Sequence, residues 1–241
     1  MTPASGGSHA PVMPGTSGSR SPFKLASVLL VYPSVSLFDG LDVLAAAASR
    51  TSPRATRDEL AAFLRWLGAT PPSQVAQHYV ETFDLRRRCA LYLTYYRYGD
   101  TRKRGMAMLA FKAAYRAAGL APPGDELPDF LPVVLEFAGL HPAGLRLLRA
   151  HRGDLELLRR ALDRAGSPYA HVVSAVCAHL PRLGPRELAE VRRAWQAGPP
   201  AEEVGLEPFA PPEYLAGYAA HPGGPSSRGD RLPGAPGGAG R

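Results

Sequence analysis

The amino-acid sequence predicts an all-α protein, a single globular domain of about eight or nine helices without an internal repeat. Apolar residues recur at helical spacing in most segments, and proline or glycine separates one segment from the next. The one run that favours β-structure, residues 89–98, has no evident partner strand elsewhere in the sequence. A chain of 241 residues is also long enough to bury an ample core without disulfide bonds.

The two ends of the chain differ in composition from its middle. Residues 1–21 consist mainly of glycine, serine, proline and threonine, and proline and glycine dominate residues 198–241. Such segments bury too little apolar surface to offset the entropy lost on ordering, so we expect both tails to be disordered. The helical domain is therefore predicted at residues 22–197.

The first predicted helices cover residues 23–31 and 37–49, with an interruption near Pro33. Residues 56–59 (Thr-Arg-Asp-Glu) have the pattern of a capping box, in which Thr56 and Glu59 would satisfy the first amides of a helix. Apolar residues then follow at helical spacing, and Gly68 is expected to end this helix. The spaced residues are Leu60, Phe63, Leu64 and Leu67.

The next helix should begin at Pro71-Pro72, because proline is tolerated in a first turn. For residues 89–98 we favour a buried helix over a strand on context. Asp100-Thr101 is expected to start a helix that ends at Gly119. The apolar residues on or near one stripe of that helix are Met106, Leu109, Ala113 and Ala117.

After a linker at residues 120–125, the chain enters a helix that is apolar nearly all round, as a central helix would be. Asp129 is its expected N-cap, and Pro132 would then fall in its first turn. His141-Pro142 should end this helix.

Leucine-rich residues 145–162 predict one or two further helices, with a possible kink at Gly153-Asp154. The dipeptides Ser167-Pro168 and Gly184-Pro185 are expected to begin the last two helices.

Common enzyme signatures are absent from the sequence, including nucleophile-elbow, phosphate-loop, dinucleotide-binding and zinc-protease motifs. His171 and His179 lie two helical turns apart, which suits core or rim residues better than metal ligands. Glu126 and Asp129 form a carboxylate pair without a nearby histidine or lysine, so capping is favoured over catalysis. The residues therefore give no support for nucleophilic catalysis, and no bound metal is expected.

Cys89 and Cys177 belong to no metal-binding or disulfide pattern, and we expect two reduced, buried thiols. The N-terminus lacks the pattern of a signal peptide, since its first basic residue is Arg20. No apolar run is long enough to span a bilayer. A cytoplasmic protein without stable membrane insertion is expected.

Residues 79–105 combine five tyrosines with two arginine-rich clusters and carry seven basic and three acidic residues. Such a segment could line a groove, bind an anion, or lie in a core with a solvated rim. Stacking tyrosines and basic residues also fit a nucleic-acid binder, although the basic residues form short clusters and not a continuous stripe. No nucleic-acid partner is expected.

Residues 79–105 (YVETFDLRRRCALYLTYYRYGDTRKRG), followed by residues 126–137 (ELPDFLPVVLEF), resemble the NarJ family. This family is the nitrate reductase delta subunit, or molybdenum cofactor assembly chaperone, within the wider TorD-like redox enzyme maturation proteins. The resemblance covers about residues 24–212, and residues 205–215 (GLEPFAPPEYL) also resemble the end of that group. The wider family has a histidine after the Pro-Asp pair, where this chain has Phe130.

The resemblance implies a TorD-like helical fold and a system-specific chaperone that is not itself an enzyme and is absent from the finished reductase. Its client would be the catalytic alpha subunit of respiratory nitrate reductase, recognised through the subunit's N-terminal peptide. The chaperone would assist loading of the bis-molybdopterin guanine dinucleotide cofactor before membrane assembly, without binding it permanently. Molybdenum cofactor biosynthesis proteins are further expected partners, and an accessory protein acting directly on the cofactor is the alternative function.

A peptide groove would need apolar walls and, for a basic peptide, local acidity. The candidate client-binding residues are Tyr92, Leu93, Tyr95, Tyr96, Glu126, Asp129, Leu131, Leu135, Glu136 and Phe137. Glu81 and Asp84 could add to the local acidity. The candidates for contact with an anion or with an acidic part of the client are Arg86, Arg87, Arg102 and Arg104.

Overall fold

The computed structural model describes residues 22–200 apart from residues 100, 123 and 125. Within these residues the fold is all-α, as predicted, with a single isolated bridge between Tyr92 and Phe130 in place of any strand. The helices are α1 (Pro22–Leu29), α2 (Val35–Asp39), α3 (Leu41–Ser49), α4 (Arg54–Ala69), α5 (Pro72–Tyr79), α6 (Tyr95–Tyr98), α7 (Arg102–Ala117), α8 (Leu131–Leu140), α9 (Pro142–Ala150), α10 (Arg152–Arg164), α11 (Tyr169–Cys177) and α12 (Pro185–Ala197).

The twelve α-helices of the described residues exceed the eight or nine predicted, because short breaks divide segments that the apolar pattern joins. Gly40 separates α2 from α3, and His151 separates α9 from α10. A π-helical turn at Val80–Asp84 and a 3₁₀ turn at Arg87–Cys89 follow α5. The predicted tails cover residues 1–21 and 198–241, and all of these except residues 198–200 lie outside the described residues.

The core is built from two sets of packed helices that meet along α1. Helix α8 packs on α1 and α9, while α11 packs on α4, α10 and α1. Tyr169, fully buried at the start of α11, lies at the centre of an aromatic cluster with ring-centroid distances of 5.0 Å to Phe63 and 4.8 Å to Phe83. These packed rings, with the aliphatic residues around them, supply most of the buried apolar surface.

Helix α4 confirms the predicted apolar face but corrects its start. Residues 60, 63, 64 and 67 are all buried. The helix begins at Arg54, where the Pro53 carbonyl already accepts from the Thr56 amide at 3.0 Å. Thr56 is therefore inside the helix, fully buried, with its hydroxyl 3.0 Å from Nε2 of His179. The capping-box prediction is wrong because the helix starts one turn earlier.

Residues 89–98 do not form the predicted buried helix. The Leu91 carbonyl accepts from the Leu131 amide at 2.7 Å, and the Leu93 amide donates to the Asp129 carbonyl at 3.1 Å. Only the four residues of α6 are helical here. The β-favouring run thus has a backbone partner, the loop before α8, which the sequence did not reveal because the pairing involves so few residues.

Helix α7 has the predicted bounds but buries a different face. It starts after Thr101 and is followed by Gly119, whose φ of +68° explains the glycine there. Its buried aromatic residues are Phe111 and Tyr115, whereas Met106 and Leu109 are 70% and 53% exposed. The apolar stripe identified in the sequence therefore lies mostly on the outside of the molecule.

Both cysteines are buried free thiols, as predicted, and burial raises the pKa of Cys177 to about 11. Asp129 is not the N-cap of α8; that position belongs to Phe130. Pro132 does lie in the first turn of α8. Across the described ranges, no helix combines the length and the apolar character needed to cross a bilayer.

Candidate functional site

One buried carboxylate joins the two sequence segments that carry the resemblance. Asp129 is fully buried, and its Oδ2 accepts from the Thr94 hydroxyl at 2.5 Å and from the Thr94 amide at 3.2 Å. The Arg104 guanidinium lies 3.7 Å from the same oxygen. Charge-assisted hydrogen bonds of this kind are stronger than neutral ones. The loop before α8 is therefore held against α6 and the start of α7.

Two of the four arginines proposed for anion contact share a tyrosine. The Arg104 guanidinium lies over the rings of Tyr92 and Tyr95, at 5.0 and 5.6 Å from their centroids. Arg87 Nε donates to the Tyr95 hydroxyl at 2.7 Å. Arg86 and Arg102 are exposed on separate elements. Arg87 and Arg104 thus have Tyr95 as a common partner, and anion contact by the four arginines stays a prediction.

Most residues proposed as a groove wall lie in the core. The aliphatic and aromatic candidates that are buried are Leu93, Tyr95, Tyr96, Leu131, Leu135 and Phe137. Tyr92 and Glu136 are half-buried, and Glu126 is exposed. A peptide bound to this rigid structure would therefore reach Tyr92, Glu126 and their exposed neighbours rather than the wall as a whole.

Tyr32, Asp84 and Glu126 are exposed and lie around the buried Tyr79 and the half-buried Tyr92. We call these five residues the acidic aromatic surface. The ring of Tyr32, 55% exposed, contacts that of Tyr79 edge-on at 5.5 Å. The Tyr79 hydroxyl donates to the Leu30 carbonyl at 3.1 Å, which fixes the ring at the end of α1. The π-helical turn after α5 carries Asp84, and the loop before α8 carries Glu126.

The pKa values of Tyr79 and Tyr92 are both raised, in part by nearby carboxylates. Burial raises the pKa of Tyr79, and the neighbouring carboxylates of Asp84 and Glu126 raise it further. Burial likewise raises the pKa of Tyr92, with Glu126 as the next contributor. Both carboxylates thus act on the same pair of phenols, while the Arg104 guanidinium opposes them at Tyr92.

Apolar side chains border this surface. Leu85 follows Asp84 and Leu127 follows Glu126, and both leucines are exposed. Phe130 is half-buried and packs on Tyr92 with ring centroids 5.4 Å apart. The arrangement offers apolar contact area beside two carboxylates, which suits a ligand that is both basic and apolar.

A concavity of about 300 Å³ lies between the start of α10 and α12. Its charged lining has three arginines and three carboxylates, so it has no net charge and does not select an anion. The side chains concerned are Arg97, Arg149, Arg152, Asp154, Glu187 and Glu190. Asp154 is already paired with His151 at 2.8 Å and Arg97 at 3.5 Å.

His171 and His179, the two histidines considered as metal ligands, have different partners. His171 Nδ1 is 2.6 Å from Glu59 Oε2, and His179 is bonded to Thr56. No group of histidine, cysteine and carboxylate side chains suited to a metal ion occurs among the described residues.

Sequence reasoning missed the contribution of Tyr32 and Leu85 to the surface. Tyr32 is distant from residues 79–105 in sequence, and only the fold brings the segment after α1 against Tyr79 at the end of α5. A signal for Leu85 was present, because an isolated leucine directly before three arginines interrupts the apolar period of the preceding helix.

Residues 50–175, just over half of the chain, match the model of a protein family described as the nitrate reductase delta subunit. The fold resembles that of an Archaeoglobus fulgidus protein provisionally assigned as a redox enzyme maturation protein. The TM-score is 0.50 at 21% identity, covering 69% of this chain and 96% of the other. At that identity the likeness concerns the fold, which agrees with the predicted TorD-like architecture.

Nitrate reductase-like protein NarX of Mycobacterium tuberculosis is 48% identical over 157 residues, which are 64% of this chain and 24% of NarX. The chain thus spans about a quarter of that relative's length. The NarJ of Escherichia coli, a nitrate reductase molybdenum cofactor assembly chaperone, is 34% identical over 150 residues, 61% of this chain and 64% of the relative.

The probable NarJ chaperone of Bacillus subtilis is 30% identical over 177 residues, 73% of this chain and 96% of the relative. The names of the NarJ relatives describe assembly chaperones, with which the prediction that this chain is not an enzyme agrees. A family model that matches half of the chain, and a relative matched almost end to end, show that this protein belongs to the nitrate reductase delta subunit family.

Proposed function

We propose that this protein is a dedicated chaperone of a respiratory nitrate reductase. In the cytoplasm it binds the N-terminal peptide of the catalytic alpha subunit and holds that subunit ready to receive its bis-molybdopterin guanine dinucleotide cofactor. It leaves before the subunits join at the membrane. The names of the NarJ relatives support the chaperone role, and the acidic aromatic surface supports the binding of a basic peptide.

The observation that most strongly supports this proposal is a pair of carboxylates at one place on an otherwise basic protein. The chain has a formal net charge of +7, yet Asp84 and Glu126 act on one cluster of tyrosine rings. A basic peptide is repelled by most of the surface and attracted here, so long-range electrostatics would guide it to this place.

The bordering side chains provide the rest of the affinity. A short amphipathic peptide binds by placing its apolar side against aromatic and aliphatic groups, and tyrosine supplies area with few rotors to freeze. Tyr32, Leu85 and Leu127 are exposed and can make such contacts without any change in the core. Because these three side chains are exposed, the proposed peptide contacts do not involve the buried residues of α8.

The test is calorimetry with a synthetic peptide that comprises the N-terminal residues of the alpha subunit. In the double variant Asp84→Lys/Glu126→Lys, we expect the peptide's Kd to rise about tenfold or more, because two attractive charges become repulsive. Both side chains are exposed, so the fold should be retained.

The matched control is Asp58→Lys/Glu190→Lys, which changes the net charge equally at two exposed positions on α4 and α12. It should leave the Kd within about twofold of the parent value. An equal loss of peptide affinity in both double variants would show that only the net charge of the protein matters. Unchanged affinity in the first variant would contradict this binding surface.

A further inference from the structure

The outer face of α7 is an apolar stripe without a partner among the described residues. Five residues define this α7 outer face: Met106, Leu109, Ala110, Ala113 and Ala117, all of them exposed. Their spacing of three, four and seven places them on one side of the helix, opposite the buried Phe111 and Tyr115. The helix packs on α6 and α9, and its buried residues are Phe111 and Tyr115.

The charge of α7 has one sign. Its sixteen residues contain five lysines and arginines and no carboxylate. Helical spacing places Arg102 and Lys103 at the N-terminal end of the outer face, and Lys112 and Arg116 along one of its edges. All four of these side chains are exposed.

Small side chains make the middle of the face shallow. Ala110, Ala113 and Ala117 let another helix approach closely, while Met106 and Leu109 supply larger side chains at one end. A Cβ placed on Gly105 would have nothing within 4 Å, so the approach is open at that end too.

Two other occupants fit less well. A second copy of the chain would bring two all-cationic helices together, with no carboxylate on either to compensate. A membrane surface would find two long apolar side chains and no aromatic residue, which is too little to insert below the headgroups.

From this combination we infer that the α7 outer face binds an acidic amphipathic helix of a partner protein. The partner's apolar stripe packs on the alanines, and its carboxylates pair with Lys112 and Arg116 along the edge. The surface is separate from the acidic aromatic surface and selects a ligand of the opposite charge, so the inference does not depend on the proposed function.

The experiment uses the full chain and a fluorescent synthetic helix of about 18 residues, with leucine and alanine on one face and glutamate along its edges. Fluorescence anisotropy at low salt should show saturable binding that weakens as salt rises. We expect the Kd to increase about tenfold in Lys112→Glu/Arg116→Glu and similarly in Met106→Glu/Leu109→Glu. A second probe with lysine in place of glutamate should not bind.

The matched control is Val43→Glu on α3, because Val43 is 69% exposed and Met106 is 70% exposed. Circular dichroism confirms that each variant is folded. The inference is overturned by absence of saturable binding, or by an equal loss in Val43→Glu. It is also overturned if the α7 variants instead abolish binding to phosphatidylglycerol vesicles or dissociate a dimer seen in sedimentation.

Discussion

At the scale of single residues, the most consequential side chain is Asp129, which both sequence motifs depend on for their relative position. Its Oδ2 is bonded to Thr94, and its buried Oδ1 has no hydrogen-bond partner among the described residues. A buried carboxylate is stable only when neighbouring donors compensate for its lost hydration. Asp129 therefore acts as a structural connector, and a test of peptide binding should not rely on changing it.

We expect Asp129→Ala to destabilise the protein by about 3 kcal/mol, because it leaves the Thr94 amide and the Arg104 guanidinium without their shared acceptor. Urea denaturation followed by circular dichroism measures this loss. Asp129→Asn keeps one oxygen as acceptor and should cost about 1 kcal/mol. Equal stability of the alanine variant and the parent would contradict the structural role.

Glu156 on α10 links the stability of the protein to pH. Burial alone would raise its pKa, but hydrogen bonds from Arg159 and Arg160, with the charge of Arg152, outweigh burial and lower the pKa to about 2. Because the folded-state pKa lies below the unfolded one, the stabilisation is complete above about pH 4.5 and is lost as the pH falls toward 2.

Accordingly, the parent protein should lose about 2 to 3 kcal/mol more than Glu156→Gln when the pH is lowered from about 5 to about 2. Urea midpoints at several pH values measure the difference. Parallel pH profiles for the two proteins would show that Glu156 is not responsible.

At the scale of elements, α9 approaches the backbone of α8 closely at Gly144. A Cβ on Gly144 would lie 2.3 Å from the Ala138 amide nitrogen and 2.5 Å from the Phe137 carbonyl carbon. Both atoms belong to the backbone of α8, which cannot move aside as a flexible side chain could. The glycine is therefore required by the approach of α9 to α8.

Gly144→Ala should destabilise the protein by about 2 to 3 kcal/mol through this overlap. Gly105→Ala is the matched control, since it is also a helical glycine but its added Cβ meets nothing within 4 Å. That control should be neutral or stabilising by up to about 1 kcal/mol, because alanine favours a helix. The same direction of change for both variants in thermal unfolding would contradict the close crossing.

At the scale of the whole molecule, positive and negative side chains are concentrated on different surfaces. A protein with a net charge of +7 gathers carboxylates at the acidic aromatic surface and places only cations on α7. The sum of charges conceals this separation, because surfaces of opposite sign cancel in it. Ligands of opposite charge can thus be attracted to different parts of one helical domain.

Local patterns in the sequence were sufficient for the fold class, most helix boundaries and the family. Apolar spacing identified the buried face of α4, and proline or glycine marked the starts of α5, α11 and α12, because these signals act within a few residues. The motifs at residues 79–105 and 126–137 were enough for the resemblance. The tail boundaries at residues 22 and 197 stay a prediction.

Tertiary packing alone decided which side of α7 faces outward, which tyrosines are exposed, and where Asp129 finds its donors. An apolar stripe indicates that a helix has an apolar side and a polar side. Only the packing of neighbouring helices determines which side is buried. Thr94 and Asp129 are 35 residues apart, and Tyr32 reaches Tyr79 across 47 positions of sequence. Contacts at such separations depend on how whole helices pack. The sequence therefore named Tyr92 and Glu126, whereas only the fold added Tyr32 beside them.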